Sequence, residues 1–144
     1  ALAYRAILAI EHGEWARAGA MTTRARDIVL RNSLDELALM GLVFALTARV
    51  ATRRGHRIQA ASDQAHAHRL RAGLSAAVPW LAVGTDLELA RLALAQSDAA
   101  GTRTLLREAN DILSGFPSFG RLAGDEDVAV HHAQVDRLAE LVHP

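Results

Sequence analysis

Five residues combine the side-chain types and spacing needed to hold a polar ligand or an acidic peptide: Arg49, Trp80, Asp86, Glu88 and Arg91. Arg49 and Arg91 are 42 residues apart, a spacing that recurs along the chain and predicts a short ladder of stacked guanidinium groups. Guanidinium groups bind carboxylates through paired hydrogen bonds, and an aromatic ring beside a few polar groups is typical of ligand pockets. The structural alternative is an ion pair of Glu88 with Arg49 or Arg91.

The histidines do not predict a metal site. Zinc ligands on one helix need a separation of three or four residues and a further ligand. His66 and His68 are two residues apart, and His131 and His132 are adjacent. Cysteine is absent, which removes thiolate ligands. We therefore expect neither a metal nor another cofactor in this segment.

No residue pattern indicates an enzyme. Four serines could be considered as nucleophiles, but none lies in a nucleophile motif: Ser33, Ser62, Ser75 and Ser114. The acidic run Asp125-Glu126-Asp127 stands at a predicted helix start, where carboxylates satisfy free N–H groups and the helix dipole. Trp15 is interpreted as a packing residue at a helix corner rather than a platform for a ligand. The sequence thus predicts no catalytic residue.

Composition favours a helical domain that contacts neither nucleic acid nor membrane. The chain has 144 residues, 51% of them hydrophobic, and all 16 basic residues are arginine. Alanine, leucine and arginine have high helix propensity. Charges of both signs are mixed along the chain and sum to zero, whereas a nucleic-acid binder has a basic face. The apolar runs are shorter than the roughly 18 residues of a membrane span, and the lack of cysteine suits a cytoplasmic protein.

A helix–turn–helix corner recurs three times with a period of 42 residues. Its marker positions are Gly13, Ala18 and Ala25, then Gly55, Ala60 and Ala67, then Ser97, Thr102 and Ala109. The helix before each corner keeps the same phase, with alanine at six equivalent positions: Ala6, Ala48 and Ala90, then Ala9, Ala51 and Ala93. Small residues let antiparallel helices approach closely, and stacked pairs form a continuous core. We therefore predict an all-α solenoid of antiparallel helix-pair repeats.

About seven helices are predicted, and they group into one domain, 1–144. The helices span residues 2–12, 14–31, 34–53, 57–72, from 76–79 to 96, 98–114 and 126–142, with a loop at 115–120. The repeats cover about 1–32, 33–74 and 75–115, and the terminal helix 126–142 follows. Ser33 and Glu36 have the spacing of a capping box and predict the start of the third helix. Pro79 suits the first turn of the fifth helix, and Ser97-Asp98 is expected to cap the sixth.

The apolar pattern also predicts which side chains are buried. The second helix should bury one face by the period of 3.6 residues, formed by Ala18, Met21, Ala25, Ile28 and Val29. A second face should be solvated, because three arginines recur on it: Arg17, Arg24 and Arg31. Asp63 occupies the position equivalent to Met21 and Leu105. We therefore expect either that this position lies at a rim or that the second helix pair is rotated.

The first corner resembles the tetratricopeptide signature. It reads Gly13-Glu14-Trp15, with Ala18 five residues after the glycine and Ala25 seven residues further on. The second corner loses the aromatic residue, and the third keeps only the acid and the final alanine. The period of 42 residues also exceeds the roughly 34 residues of a standard tetratricopeptide repeat. The resemblance implies a tetratricopeptide-like array with longer, degenerate repeats.

Such repeats resemble the helical-repeat region of MalT-type activators, the large ATP-dependent members of the LuxR family of transcriptional regulators. Residues 4–15, 78–91 and 104–109 carry this resemblance. It implies a regulatory domain that binds an inducer (in MalT, a sugar) or a partner protein. The domain would signal to a nucleotide-binding module before it and a helix-turn-helix DNA-binding domain after it.

The resemblance implies that this sequence corresponds to the regulatory part of that arrangement. It has no lysine, and therefore no Gly-x4-Gly-Lys-Ser/Thr phosphate loop, and it starts in helical phase at Ala1. We expect a fragment of a longer regulator. The alternative is a general tetratricopeptide-type scaffold for protein interactions outside transcription. An isolated solenoid fragment exposes apolar end faces, which predicts a homodimer as well.

Overall fold

The computed structural model describes residues 1–74, 78–115 and 125–142, and the side chains of its last helix from His132 onward. These residues form seven α-helices, one short 3-10 helix and no strand. The α-helices are α1 (Leu2–Glu11), α2 (Trp15–Arg31), α3 (Gly41–Arg53), α4 (Arg57–Ala72), α5 (Pro79–Ala95), α6 (Ala99–Gly115) and α7 (Asp125–Val142), and the 3-10 helix is Ala38–Met40. The predicted all-α class is confirmed. Stacking of the pairs into a solenoid stays a prediction.

The chain divides into two compact units, Ala1–Leu74 and Ser75–Pro144. Their boundary coincides with the predicted junction between the second and third repeats. In the first unit α1 packs on α2, α2 on α3, and α3 on α4. In the second unit α5 packs on α6, and α7 packs on both.

The repeat period is visible in the burial of the small residues. The predicted close-approach alanines Ala6, Ala48 and Ala90 are all fully buried, at 0% exposure. Larger apolar side chains are buried as well, among them Phe44, Leu46, Val83 and Leu89. An antiparallel helix pair with alanine at the contact leaves no space for a longer side chain, because protein interiors are close-packed. The 42-residue pattern therefore marks the inner faces of the helix pairs.

The three corners have the same backbone geometry. Each has one residue with positive φ: Gly13 at 74°, Gly55 at 77° and Ser97 at 60°. The next residue donates its N–H to the alanine carbonyl five positions earlier: Glu14 to Ala9 at 2.8 Å, His56 to Ala51 at 2.9 Å and Asp98 to Ala93 at 2.9 Å. Such bonds satisfy the free carbonyls at a helix end. The corner markers found in the sequence are thus residues of one recurrent helix-ending turn.

Replacing Ser97 with glycine is expected to stabilise the protein by about 0.5–1 kcal/mol. A non-glycine residue in the left-handed region costs roughly 1–2 kcal/mol, and the greater freedom of glycine in the unfolded chain offsets part of this gain. Urea unfolding measures the change. In the matched control, Ser62→Gly inside helix α4, glycine should destabilise by about 0.5 kcal/mol through its lower helix propensity. Equal effects of the two substitutions would contradict the assignment of strain to Ser97.

The third helix begins later than predicted, so the capping box was wrong. Ser33 has φ of 55°, and the N–H of Leu34 donates to Val29 O at 2.9 Å. These residues therefore close the end of α2, in the geometry of the three corners, instead of opening a new helix. Leu37 has extended backbone, a 3-10 turn follows, and α3 starts at Gly41.

Other local predictions are confirmed or corrected by individual residues. Pro79 is the first residue of α5, and Asp98 caps α6 by accepting a hydrogen bond on Oδ1 from Gly101 N at 2.9 Å. Ile28 was predicted to be buried but is exposed, because Val29 takes the inward position in the last turns of α2. The side chains of the acidic run 125–127 and the loop at 116–120 lie outside the described residues.

No helix within the described ranges is long and apolar enough to cross a membrane.

Candidate functional site

The predicted binding residues are divided between helices of the two units. Arg49 lies in α3 of the first unit, whereas Trp80, Asp86, Glu88 and Arg91 lie in α5 of the second. Trp80 is in the first turn of α5 and is 47% exposed. Asp86 and Glu88 are both buried. The ladder between Arg49 and Arg91 stays a prediction.

Helix α5 contains an ion pair between two of these residues. Arg91 donates from Nη1 to Glu88 Oε1 at 2.6 Å. Side-chain exposure is 20% for Arg91 and 2% for Glu88. The predicted structural alternative, an ion pair of Glu88 with Arg91, is therefore present. Removal of one partner of a buried pair leaves an uncompensated charge. Arg91 therefore has a structural role in α5, in addition to any role in ligand binding.

The buried carboxylates of α5 occupy positions that are apolar in the equivalent helix α3. The 42-residue period aligns Asp86 with Phe44 and Glu88 with Leu46, and all four side chains are almost fully buried. Burying a charge is costly unless it is paired and hydrogen-bonded. Buried charged groups that replace apolar residues of the repeat are candidates for function. Aligning the repeats position by position would have revealed this exchange from the sequence.

Arg49 contacts an aromatic ring within its own unit, together with a second arginine that the sequence interpretation missed. The Cζ atom of Arg49 lies 5.9 Å from the centre of the Trp15 ring, and that of Arg53 lies 5.2 Å from it. Both distances suit a cation–π interaction. Trp15 was predicted to be a packing residue; its side chain is half-buried, and its ring also contacts two guanidinium groups of α3. Arg49 and Arg53 are four residues apart on α3 and therefore share one face of that helix. This spacing could have been recognised from the sequence.

A third guanidinium group lies on the same side of α2. A methyl group at Gly19 would overlap the Arg54 guanidinium, so this side chain rests against the α2 backbone one turn beyond Trp15. No carboxylate of the described residues forms an ion pair with Arg53 or Arg54. We call the set Trp15, Gly19, Arg49, Arg53 and Arg54 the corner surface. It is a compact cationic surface around one aromatic ring.

The first unit contains a second buried charge, at Asp63. Asp63 is 2% exposed and accepts hydrogen bonds from Arg26 Nη2 at 3.3 Å and from Thr47 Oγ1 at 2.9 Å. The predicted rim position is therefore wrong, and rotation of the second helix pair stays a prediction. The carboxylate is buried because α2 and α3 each supply a donor for it. Asp63, Arg26 and Thr47 together link helices α4, α2 and α3, so this buried charge has a structural role.

The histidines of α4 take structural or exposed positions. The His66 ring stacks on Phe44 with centres 4.0 Å apart, and its Nε2 donates to Asp35 O at 2.7 Å. His68 is exposed. Within the residues that the structure describes, no three potential ligands are close enough to hold a metal ion. The side chain of His131 lies outside them.

Comparison with known proteins gives no relative for this chain. No protein-family model matches it, and no curated protein and no solved structure matches it either. The resemblance to MalT-type regulators therefore rests on the sequence pattern alone.

Proposed function

We propose that the chain is a regulatory helical-repeat domain of a LuxR/MalT-like transcriptional regulator. In this proposal it binds an inducer or a partner protein, makes no direct contact with nucleic acid and carries out no catalysis itself. It acts in the cytoplasm by signalling to flanking nucleotide-binding and DNA-binding domains, as an array that can also self-associate. The observation that supports a repeat domain is the recurrence of one corner geometry at Gly13, Gly55 and Ser97.

The decisive test is the full-length gene. A phosphate-loop motif encoded upstream and a helix-turn-helix domain encoded downstream are expected under this proposal. If the complete reading frame encodes neither, the regulator assignment fails, and the alternative function gains. That alternative is a tetratricopeptide-type scaffold for protein interactions outside transcription, which the same helix pairs would support.

Binding of a small inducer is tested on the residues predicted from the sequence. We expect a sugar found in a panel of mono- and oligosaccharides to lose affinity when Arg49 and Arg91 are both replaced with alanine. Because Arg91 neutralises the buried Glu88, the variant Glu88→Leu/Arg91→Met provides a folded control that removes the pair together. Leucine at this position repeats the buried Leu46 of the equivalent helix. Unchanged affinity of a confirmed ligand in both variants would remove these residues from the site.

A further inference from the structure

We propose that the corner surface binds an acidic segment of a partner protein through its arginines. This deepens the proposed function, because it rests on the chain acting by binding a partner and specifies the chemistry of that partner. It does not depend on which domains flank the chain. The contacts that support this proposal all lie within the first unit.

The corner surface holds its guanidinium groups in fixed positions before any ligand is present. Arg49 and Arg53 both lie within 6 Å of the Trp15 ring centre, and Arg54 rests on the α2 backbone at Gly19. Arginine side chains have many rotamers, whose restriction opposes binding. Contacts with the ring and the backbone have already restricted them. A ligand that binds these groups therefore loses less entropy than one that binds free surface arginines.

The excess positive charge of this segment favours an anionic ligand. Residues 37–62 contain four arginines and no acidic residue. Among the described residues, Arg53, Arg54 and Arg57 have no ion pair. The neighbouring positive charges of Arg53 and Arg54 repel each other. Carboxylates placed between these groups would remove the repulsion and form paired charge-assisted hydrogen bonds.

A protein segment fits this surface better than a nucleic acid does. Non-specific binding of DNA depends on many phosphate contacts and an extended basic face. Here the cations are few, the net charge of the chain is zero, and Glu14 pairs with Arg17 beside Trp15. Ile58, next to Arg57 at the start of α4, is 90% exposed. An acidic peptide with aliphatic residues would match both the charges and this apolar side chain.

Binding can be measured with a fluorescently labelled oligoglutamate peptide titrated into the whole purified chain. We expect saturable binding at low salt that weakens about tenfold or more in Arg53→Gln/Arg54→Gln. The matched control, Arg24→Gln/Arg31→Gln, removes the same charge from exposed positions of α2 and should change affinity by less than about twofold. Equal weakening by both double variants would show diffuse attraction and overturn the proposal.

Gly19→Ala tests the geometry without changing any charge. The added methyl group displaces the Arg54 guanidinium, while alanine raises the helix propensity of α2, so weaker binding cannot be ascribed to unfolding. We expect a several-fold loss of affinity. The proposal is overturned if oligoglutamate does not bind, if Gly19→Ala binds like the parent, or if an oligothymidylate of equal charge binds the corner more tightly. These binding results are independent of the sequence that flanks the chain in the full-length gene. That flanking sequence tests the regulator assignment separately.

Discussion

Arg26→Ala is expected to lower the free energy of unfolding by about 2–3 kcal/mol. The substitution leaves the Asp63 carboxylate buried with Thr47 as its remaining side-chain donor. Breaking a buried pair typically costs about 3–5 kcal/mol. The expected value is lower because the Arg26 side chain is 31% exposed, so water can replace part of its contact with Asp63. Urea unfolding followed by circular dichroism measures the difference.

The control for Arg26→Ala is Arg24→Ala, two positions earlier on the same helix. Arg24 is exposed, and its replacement should change stability by no more than about 0.5 kcal/mol. If both variants lose the same stability, the effect belongs to the helix or the net charge and not to the pairing with Asp63.

Replacing both members of the pair should restore most of the lost stability. The repeat supplies the substitution at position 63, since its equivalents are Met21 and Leu105. When the carboxylate is gone, the single hydroxyl proton of Thr47 can be donated to Phe44 O, 3.0 Å from Oγ1. Apolar replacement of a buried ion pair is often neutral or stabilising. Arg26→Met/Asp63→Leu should therefore be more stable than Arg26→Ala, and a further loss would show that the carboxylate has a role beyond pairing.

The helices and their inner faces could be predicted because they depend on local periodicity. Small residues recur at a fixed interval wherever two helices approach, as at Ala48 and Ala90, and a residue with positive φ ends the first helix of each pair. Gly13 and Gly55 show this directly, while Ser97 adopts the same geometry against its propensity. The repeat period therefore identified the turn at Ser97, which the residue type alone would not have predicted.

The errors arose where two local rules compete or where distant residues meet. Ser33 and Glu36 satisfy a capping box by spacing, but the carbonyl of Val29 binds Leu34 N and closes α2 there. Asp63 breaks the apolar pattern of its position, and its donors on α2 and α3 become evident only when three helices are packed together. The corner surface has the same origin, because Trp15 and Arg53 meet only through the packing of α2 on α3.

Phe44→Ala is expected to cost about 3–5 kcal/mol of stability. Phe44 is 1% exposed, and its removal leaves a cavity that the surrounding helices can close only in part. The more conservative Phe44→Leu keeps most of the volume and should cost less than about 1.5 kcal/mol. Comparison of the two unfolding curves separates cavity formation from any general sensitivity of α3.

Phe44→Ala should also increase local opening of the segment before α3. The increase should exceed what the loss of global stability alone would cause. Phe44 supports the His66 ring, and His66 in turn holds the carbonyl of Asp35. Without the ring contact, amides that close the turns of this segment, Leu37 N on Leu34 O and Met40 N on Leu37 O, should exchange faster. Hydrogen exchange in Phe44→Ala is compared with Arg26→Ala, which destabilises the unit without touching His66. If these amides exchange equally in both variants, global unfolding governs them, and the stacked pair does not anchor the segment.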